Sequence, residues 1–274
     1  MASSLQEHAA WLGPVAALAR QAGAVIMSIY ATPFAVQGKA DASPVTEADQ
    51  QAEVLILAGL RALTPHIPIV AEEAAAAGDV PPLAAGQRFW LVDPLDGTRE
   101  FVARNGEFTV NIALIEHGRP VLGVVLAPAI AGPTGAPGGC LYAGTVGQGA
   151  WLEAGQSASR QAIHCRPQPA DGLTVLASRS HGDAAALDVF LAGYLAGRRV
   201  AHLGTAGSSL KLCLLAAGQA DLYPRLGRTM EWDIAAGHAV LAAAGGSVCR
   251  VHDGLPLVYG KPGFENPHFV AAGW

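Results

Sequence analysis

In "WLVDPLDGTREF", residues 90–101, Asp93 and Asp96 stand three apart on either side of Pro94, directly after an apolar run. Asp, Pro and Gly are ordinary loop punctuation, so a surface turn is one reading. The other is a cation between the carboxylates. A stiffened Asp-x-x-Asp turn directs two carboxylates and the Leu95 carbonyl toward one point, an all-oxygen set suited to Mg2+ and not to zinc. Carboxylates this crowded would otherwise repel and take up protons. Gly97 allows close backbone approach, and a helix beginning there aims free N–H groups at a phosphate. The Thr98 hydroxyl can hold a water, whose proton Asp49 can accept if the fold brings it close. With two Mg2+ ions, one activates the water while the other stabilises the leaving oxygen. Glu72 and Glu73 of "IPIVAEE", Asp233 of "WDIAAGHAV" and Asp49 sit at the same kind of place, strand ends and helix starts. Such places converge on clefts in α/β architectures.

The elements that would carry these acids can be read from the apolar pattern. Trp11, Val15, Leu18, Ala22, Ile26 and Ile29 recur at helical spacing and predict an amphipathic first helix. A second helix follows "SPVTEAD", its apolar face assigned to Val54, Leu55, Leu57 and Leu60. "IPIVAEE" and "RFWLVD" are short strands, the latter expected to stop at Pro94. "FTVNIALIEHGRPVLGVVLAP" has the pattern of a hairpin, and "LYAGTVGQGAWLE" of two further strands around a turn. The Gly/Pro-rich stretch 129–140 is expected to be a mobile loop. From about residue 173 strands and helices alternate, which favours an α/β second lobe. The chain divides, on this reading, into an α+β lobe over 1–165 holding the metal site and an α/β lobe over 166–274 holding substrate-binding elements. Linker chemistry in "HCRPQPADG" marks the boundary.

Bulk properties exclude several classes. A net charge of −5, from 17 basic and 22 acidic residues in 274 without a long run of either sign, disfavours polymeric nucleic acid as a partner. Cys140, Cys165, Cys213 and Cys249 form no C-x-x-C pair, so free thiols in a reducing cytoplasm are expected. No apolar stretch free of Gly and charge is long enough to predict a membrane span, while peripheral association with the inner face of the membrane is left open. "GTVGQG" lacks the G-x-G-x-x-G order of a dinucleotide loop. His8, His66, His117, His164 and His238 show no metal-ligand spacing, and Ser208 and Ser209 lack a hydrolase-nucleophile context.

"DPLDGTREF", with "EE" upstream and "WDIAAGHAV" downstream, resembles the three-part signature of the inositol monophosphatase-like, lithium-sensitive phosphatases. "VDPLDGTREFVARNGEFTVNIALI", "SRSH", "GSSLKLCLLAAGQADLYPR" and "WDIAAGHAV" are similar, within that family, to the bacterial nucleotidases that act on 3'(2'),5'-bisphosphates in sulfate assimilation. The resemblance spans nearly the whole chain and is weakest over 129–140. It implies a layered αβαβα sandwich of the inositol monophosphatase/fructose-1,6-bisphosphatase type, with two or three Mg2+ ions per active site. Glu72, Asp93 and the Leu95 carbonyl would hold one ion; Asp93, Asp96 and Asp233 would hold the second. Thr98, paired with Asp49, would orient the attacking water, and Glu73 would be a neighbour. Ser178, His181, Gly207 and Lys211 would line a nucleotide pocket, with Glu72, Leu95, Asp96, Gly97, Thr98 and Asp233 also touching substrate. Arg225 stands where inositol phosphatases carry a glutamate for ring hydroxyls, and a cation there suits a second phosphate.

The implied reaction is Mg2+-dependent hydrolysis of the 3'-phosphate of adenosine 3',5'-bisphosphate to AMP, extending to 3'-phosphoadenylyl sulfate, with inhibition by Li+. An inositol monophosphatase or broad sugar-phosphate phosphatase is the rival within the class. A catalytically silent nucleotide- or metal-sensing protein is the rival outside it. A homodimer is compatible with the sequence.

Overall fold

The computed structural model describes residues 2–38, 44–131, 138–155, 159–179 and 184–274. Helix α1 (Ala2–Tyr30) leads through the two-stranded ribbon β1 (Val36–Gly38) and β2 (Pro44–Thr46) into α2 (Glu47–Leu63). Strand β3 (Ile69–Ala71), the short helix α3 (Glu72–Ala76), β4 (Phe89–Asp96) and the short helix α4 (Thr98–Val102) follow. An antiparallel run of β5 (Thr109–Glu116), β6 (Arg119–Ala127), β7 (Cys140–Thr145), β8 (Gly149–Ala154) and β9 (Arg160–Ile163) completes a seven-stranded sheet in sequential order from β3. Only its β3–β4 pair is parallel. The second sheet has the order β11 (Val200–Ala206), β10 (Leu173–Ser178), β12 (Leu222–Arg225), β14 (Phe269–Ala272) and β13 (Ser247–Arg250). Its helices are α5 (Ala184–Tyr194), α6 (Leu210–Ala216) and α7 (Glu231–Ala243), with a one-turn 3-10 segment at Pro262–Phe264.

The first sheet is buried on both faces, which explains why its central strands read as almost continuous apolar runs. Successive side chains of a strand alternate between faces. Trp90, Val92, Ile112, Leu114, Val124 and Leu126 therefore join Val15, Ala19, Ala22, Ile26, Ile56 and Leu60 of α1 and α2 in one core. Leu91, Ala113, Ile115, Val125 and Tyr142 face the other way and pack on Leu212, Leu215, Ala235, Ala236 and Val240 of α6 and α7. The opposite side of that helical layer meets the second sheet through Tyr223, Phe269 and Ala271. Helix α5 covers the sheet's outer face with Leu187 and Leu191 against Val175, Leu222 and Val270. The result is the expected αβαβα layering. Helix α7 lies very close to the first sheet: a Cβ on Gly123 would sit 2.3 Å from the Ala236 carbonyl oxygen.

Two local expectations need correction. Of the expected face of α2, Leu60 is buried and Leu55 and Leu57 pack partly against the core, but Val54 is 70% exposed, and the helix also buries Ala48, Ala52 and Ile56 together with Asp49 and Glu53. Small alanines admit α1 closely, and two acids on the buried face have partners of their own, which displaced the apolar pattern. Strand β4 does not stop at Pro94 but runs on to Asp96. Proline is tolerated because β3 pairs only with Trp90–Val92, so β4 has an open edge beyond them. Ser4–Tyr30 of α1 is long and apolar enough to cross a membrane by length and composition, but it contains Glu7, Gly13, Arg20 and Gly23 and so is not a stretch free of Gly and charge. Val15, Ala19, Ala22 and Ile26 of its apolar face are buried in the core. Residues 132–137 of the Gly/Pro-rich stretch lie outside the described residues.

Candidate active site

A bulge in β4 puts the two aspartates of the opening motif on one side. Asp93 pairs with Asn111 and Asp96 with Thr109, so β4 carries one more residue than β5 across that interval. In a regular strand residues three apart point to opposite faces; one inserted residue restores the same face. Asp93 and Asp96 both line a cleft of about 1090 Å3, which Glu72, Leu95, Gly97, Thr98 and Asp233 line as well. Gly97 reverses the chain with φ +90°, a region that disfavours side chains, before α4 begins at Thr98.

The acids are held by donors from their own turns and from distant parts of the chain. Asp93 Oδ1 accepts the Leu95 N–H at 3.0 Å. Asp96 Oδ2 accepts the Ser209 N–H at 2.7 Å and an Asn111 amide hydrogen at 3.4 Å. Asp233, in the first turn of α7, accepts the Met230 N–H at 2.8 Å, and its own carbonyl accepts from Ser209 Oγ and Asn111 Nδ2. Asp49 occupies the equivalent place in α2. Its Oδ2 accepts the N–H and hydroxyl of Thr46 at 2.8 and 2.7 Å, leaving Oδ1 to accept the Thr98 hydroxyl at 3.2 Å. A hydroxyl that donates to Asp49 keeps its lone pairs for a water in the cleft. Glu72 opens α3, whose first free N–H groups, those of Glu73 and Ala74, are accepted by the buried Glu53 at 2.8 and 2.9 Å.

Burial raises the acids. Desolvation, then the charges of Glu72, Asp96 and Asp233, push Asp93 well above the usual carboxylate range. Asp233 moves the same way, from desolvation and then the charges of Asp96 and Glu72. Desolvation lifts Asp96 to about 6, although the Lys211 ammonium opposes the rise. Lys211 is itself lowered to about 8, again by burial first. An all-oxygen set whose charged forms are disfavoured by burial and mutual repulsion fits a hard divalent cation, which would offset both. As they lie, no three or more His, Cys, Asp or Glu side chains among the described residues are placed to hold a metal ion. Glu72 shares a hydrogen bond with Asp93 instead.

Of the other sequence-derived residues, Ser178, Lys211 and Arg225 line the same cleft. The Lys211 ammonium donates to the Ala206 and Ser208 carbonyls at 3.0 and 2.6 Å and so also pins the loop before α6. Arg225, 7% exposed, donates through Nη2 to the Arg228 carbonyl at 2.8 Å. Its Nε and the Ser208 hydroxyl are buried without a hydrogen-bond partner among the described residues. Gly207 is not among the residues lining the cleft. Its N–H is accepted at 2.7 Å by Glu107, which also takes the Arg179 guanidinium at 2.7 and 2.8 Å. His181 lies outside the described residues. Sequence reasoning missed Asn111, Ser209, Glu53 and Glu107, none of which carries a local signal beyond falling inside quoted motifs or a helix.

A model of the inositol monophosphatase family matches residues 10–271. The chain is 48% identical to "3'(2'),5'-bisphosphate nucleotidase CysQ" of Escherichia coli O157:H7, covering 94% of this chain and 98% of that protein. Among solved structures it is similar to CysQ from Bacteroides thetaiotaomicron, with 35% identity, a TM-score of 0.76, and 94% and 96% of the two chains covered. It is also similar to an inositol monophosphatase from Zymomonas mobilis, with 26% identity, a TM-score of 0.72, and 96% and 92% covered.

Proposed function

Because the chain belongs to the inositol monophosphatase family, we propose that it hydrolyses the 3'-phosphate of adenosine 3',5'-bisphosphate to AMP and phosphate. 3'-Phosphoadenylyl sulfate is a second substrate in this reading, and Mg2+ is the cofactor. The nucleotidase name of a relative 48% identical over nearly the full length supports it. The observation that carries the substrate choice is Arg225: a buried guanidinium with an unpartnered Nε on the wall of an acid-lined cleft. A second phosphate can take that donor; a neutral polyol hydroxyl suits it less well.

Glu72, Asp93 and the Leu95 carbonyl would hold one ion, and Asp93, Asp96 and Asp233 the other, once Glu72 exchanges its bond to Asp93 for the cation. Bound there, the ions supply neutralisation of charge at the phosphoryl oxygens and a more acidic water. Thr98 orients that water by accepting from it while donating to Asp49, and Asp49 stands ready for the proton. Ser209 and Asn111 keep Asp96 and Asp233 facing the cleft. Attack is direct, without a phosphoenzyme. We place the enzyme in the cytoplasm, which suits four unpaired cysteines.

Turnover of adenosine 3',5'-bisphosphate and of inositol 1-phosphate, each in Mg2+ with and without Li+, tests the reading. The bisphosphate should be preferred by kcat/KM and Li+ should inhibit; preference for inositol phosphate would reject the substrate assignment. Arg225→Glu should cost the bisphosphate roughly tenfold or more in kcat/KM, and a nucleoside 3'-monophosphate less. Equal loss on both would remove the case from that residue.

Cation binding is checked apart from activity. Ligating carboxylates must be deprotonated, and Asp96 titrates at about 6 in the metal-free protein, above its ordinary 3.8. Below that value protons compete with Mg2+. The rise in Tm on adding Mg2+ should therefore be larger near about pH 7.5 than near about pH 5.5. Taking the difference with and without Mg2+ cancels groups remote from the site, such as His238, whose burial lowers it to about 3. A shift independent of pH would argue against carboxylate ligation.

A further inference from the structure

Resting on the nucleotidase reading, we infer that Phe264 is the specificity-determining platform on which the base of the substrate stacks. Phe264 and Trp232 line the same cleft as the acids, and Trp232 is the residue directly before Asp233. Their rings lie 5.9 Å apart between centroids at 40°. Trp232 is buried, whereas Phe264 is half-buried, packed in part against the core, and still among the residues that line the cleft. Phe264 has a backbone φ of +58°, directly after Gly263 at +75°. That conformation is disfavoured for a bulky aromatic residue and persists only where the surroundings impose it.

The surroundings here are explicit. Glu231, fully buried, accepts the Gly260 and Lys261 N–H groups at 2.7 and 2.9 Å and the Lys261 ammonium at 2.5 Å. Asn266 donates to the Met230 carbonyl at 2.8 Å, and its N–H to the Thr229 carbonyl at 2.9 Å. The segment that presents Phe264 is thus tied on both sides to residues 229–231, which lead directly into Trp232 and Asp233. An aromatic residue held on the wall of a cleft that the acids also line fits a ligand with a planar base attached to its phosphates. Base–aromatic stacking is sequence-tolerant, so the platform reads the presence of a base more than its identity.

The test compares adenosine 3',5'-bisphosphate with ribose 3,5-bisphosphate, which keeps both phosphates and lacks the base. In Phe264→Leu, which retains apolar volume, and in Phe264→Ala, the preference for the nucleotide should fall about tenfold, mainly through KM. Phe264→Trp should restore it. Equal loss on the two substrates, or an unchanged preference, would overturn the platform. A wild-type enzyme that turns over neither bisphosphate but hydrolyses inositol phosphate would overturn the nucleotidase reading and the platform with it. The two failures are therefore distinguishable.

Discussion

Asp93→Asn and Asp96→Asn should each lower kcat/KM by roughly a thousandfold or more, since a bound divalent ion contributes several kcal/mol to stabilising the transition state. Both carboxylates reach the cleft from the same side of β4 because of the bulge between them. Asp93 is shared between the two ion positions proposed here, so its loss should be the more severe. The variants also carry a second readout of opposite sign. Burial and like charges hold Asp93 well above 3.8. An acid raised on folding binds its proton more tightly in the folded state, so at neutral pH its ionised form weighs against folding. Asn removes that charge while its side-chain carbonyl can still accept the Leu95 N–H. The metal-free Asp93→Asn protein should thus melt at a higher temperature than the wild type at neutral pH, while its response to Mg2+ is lost. Phosphate release unchanged in both variants would show that the reaction does not use these carboxylates.

The second large effect is on folding. Glu231→Ala should reduce stability by about 3–5 kcal/mol, the range for removing one member of a buried ion pair. Glu231 has no exposed surface, and Lys261 has 22% of its side chain exposed, so solvent screens the pair little. The substitution also orphans the Gly260 and Lys261 N–H groups. Lys261→Met should cost less, because the carboxylate keeps both backbone donors. Urea unfolding of the two variants measures this; a change within about 0.5 kcal/mol for Glu231→Ala, the ordinary range for a surface substitution, would contradict it.

The residues that could be read directly from the chain were those whose own motif announces a turn or a helix start. Asp93, Asp96, Gly97, Thr98 and Asp233 are of that kind, and all line the cleft. Their supports were not legible. Ser209 reaches Asp96 across 113 residues, Asn111 reaches the Asp233 carbonyl across 122, and Gly207 meets Glu107 across 100. Such bonds join the first sheet and the loop after α4 to the segment before α6 and the start of α7, and leave no local period. Glu53 and Glu231 were hidden for a related reason: a glutamate within a helix normally reads as solvated surface, and here each is buried because backbone N–H groups of another segment need an acceptor. The α2 error has the same source, since polar residues occupied the face that periodicity reserves for apolar ones. Strands β9 and β14 and the ribbon β1–β2 went unpredicted because short strands carry little alternation to detect, and β11 because its side chains are largely exposed and leave no apolar run.

The helical layer between the sheets has a consequence for synthesis. The ribosome delivers the first sheet in full by Ile163, yet Ala113, Ile115 and Val125 wait for α6 and α7, whose residues begin at Leu210 and Glu231. The nascent chain must leave that apolar surface bare, or in a chaperone's care, for at least some 47 residues of translation. Asp233 arrives on the very helix that ends the wait, so the enzyme's acidic centre is completed only as its interior closes.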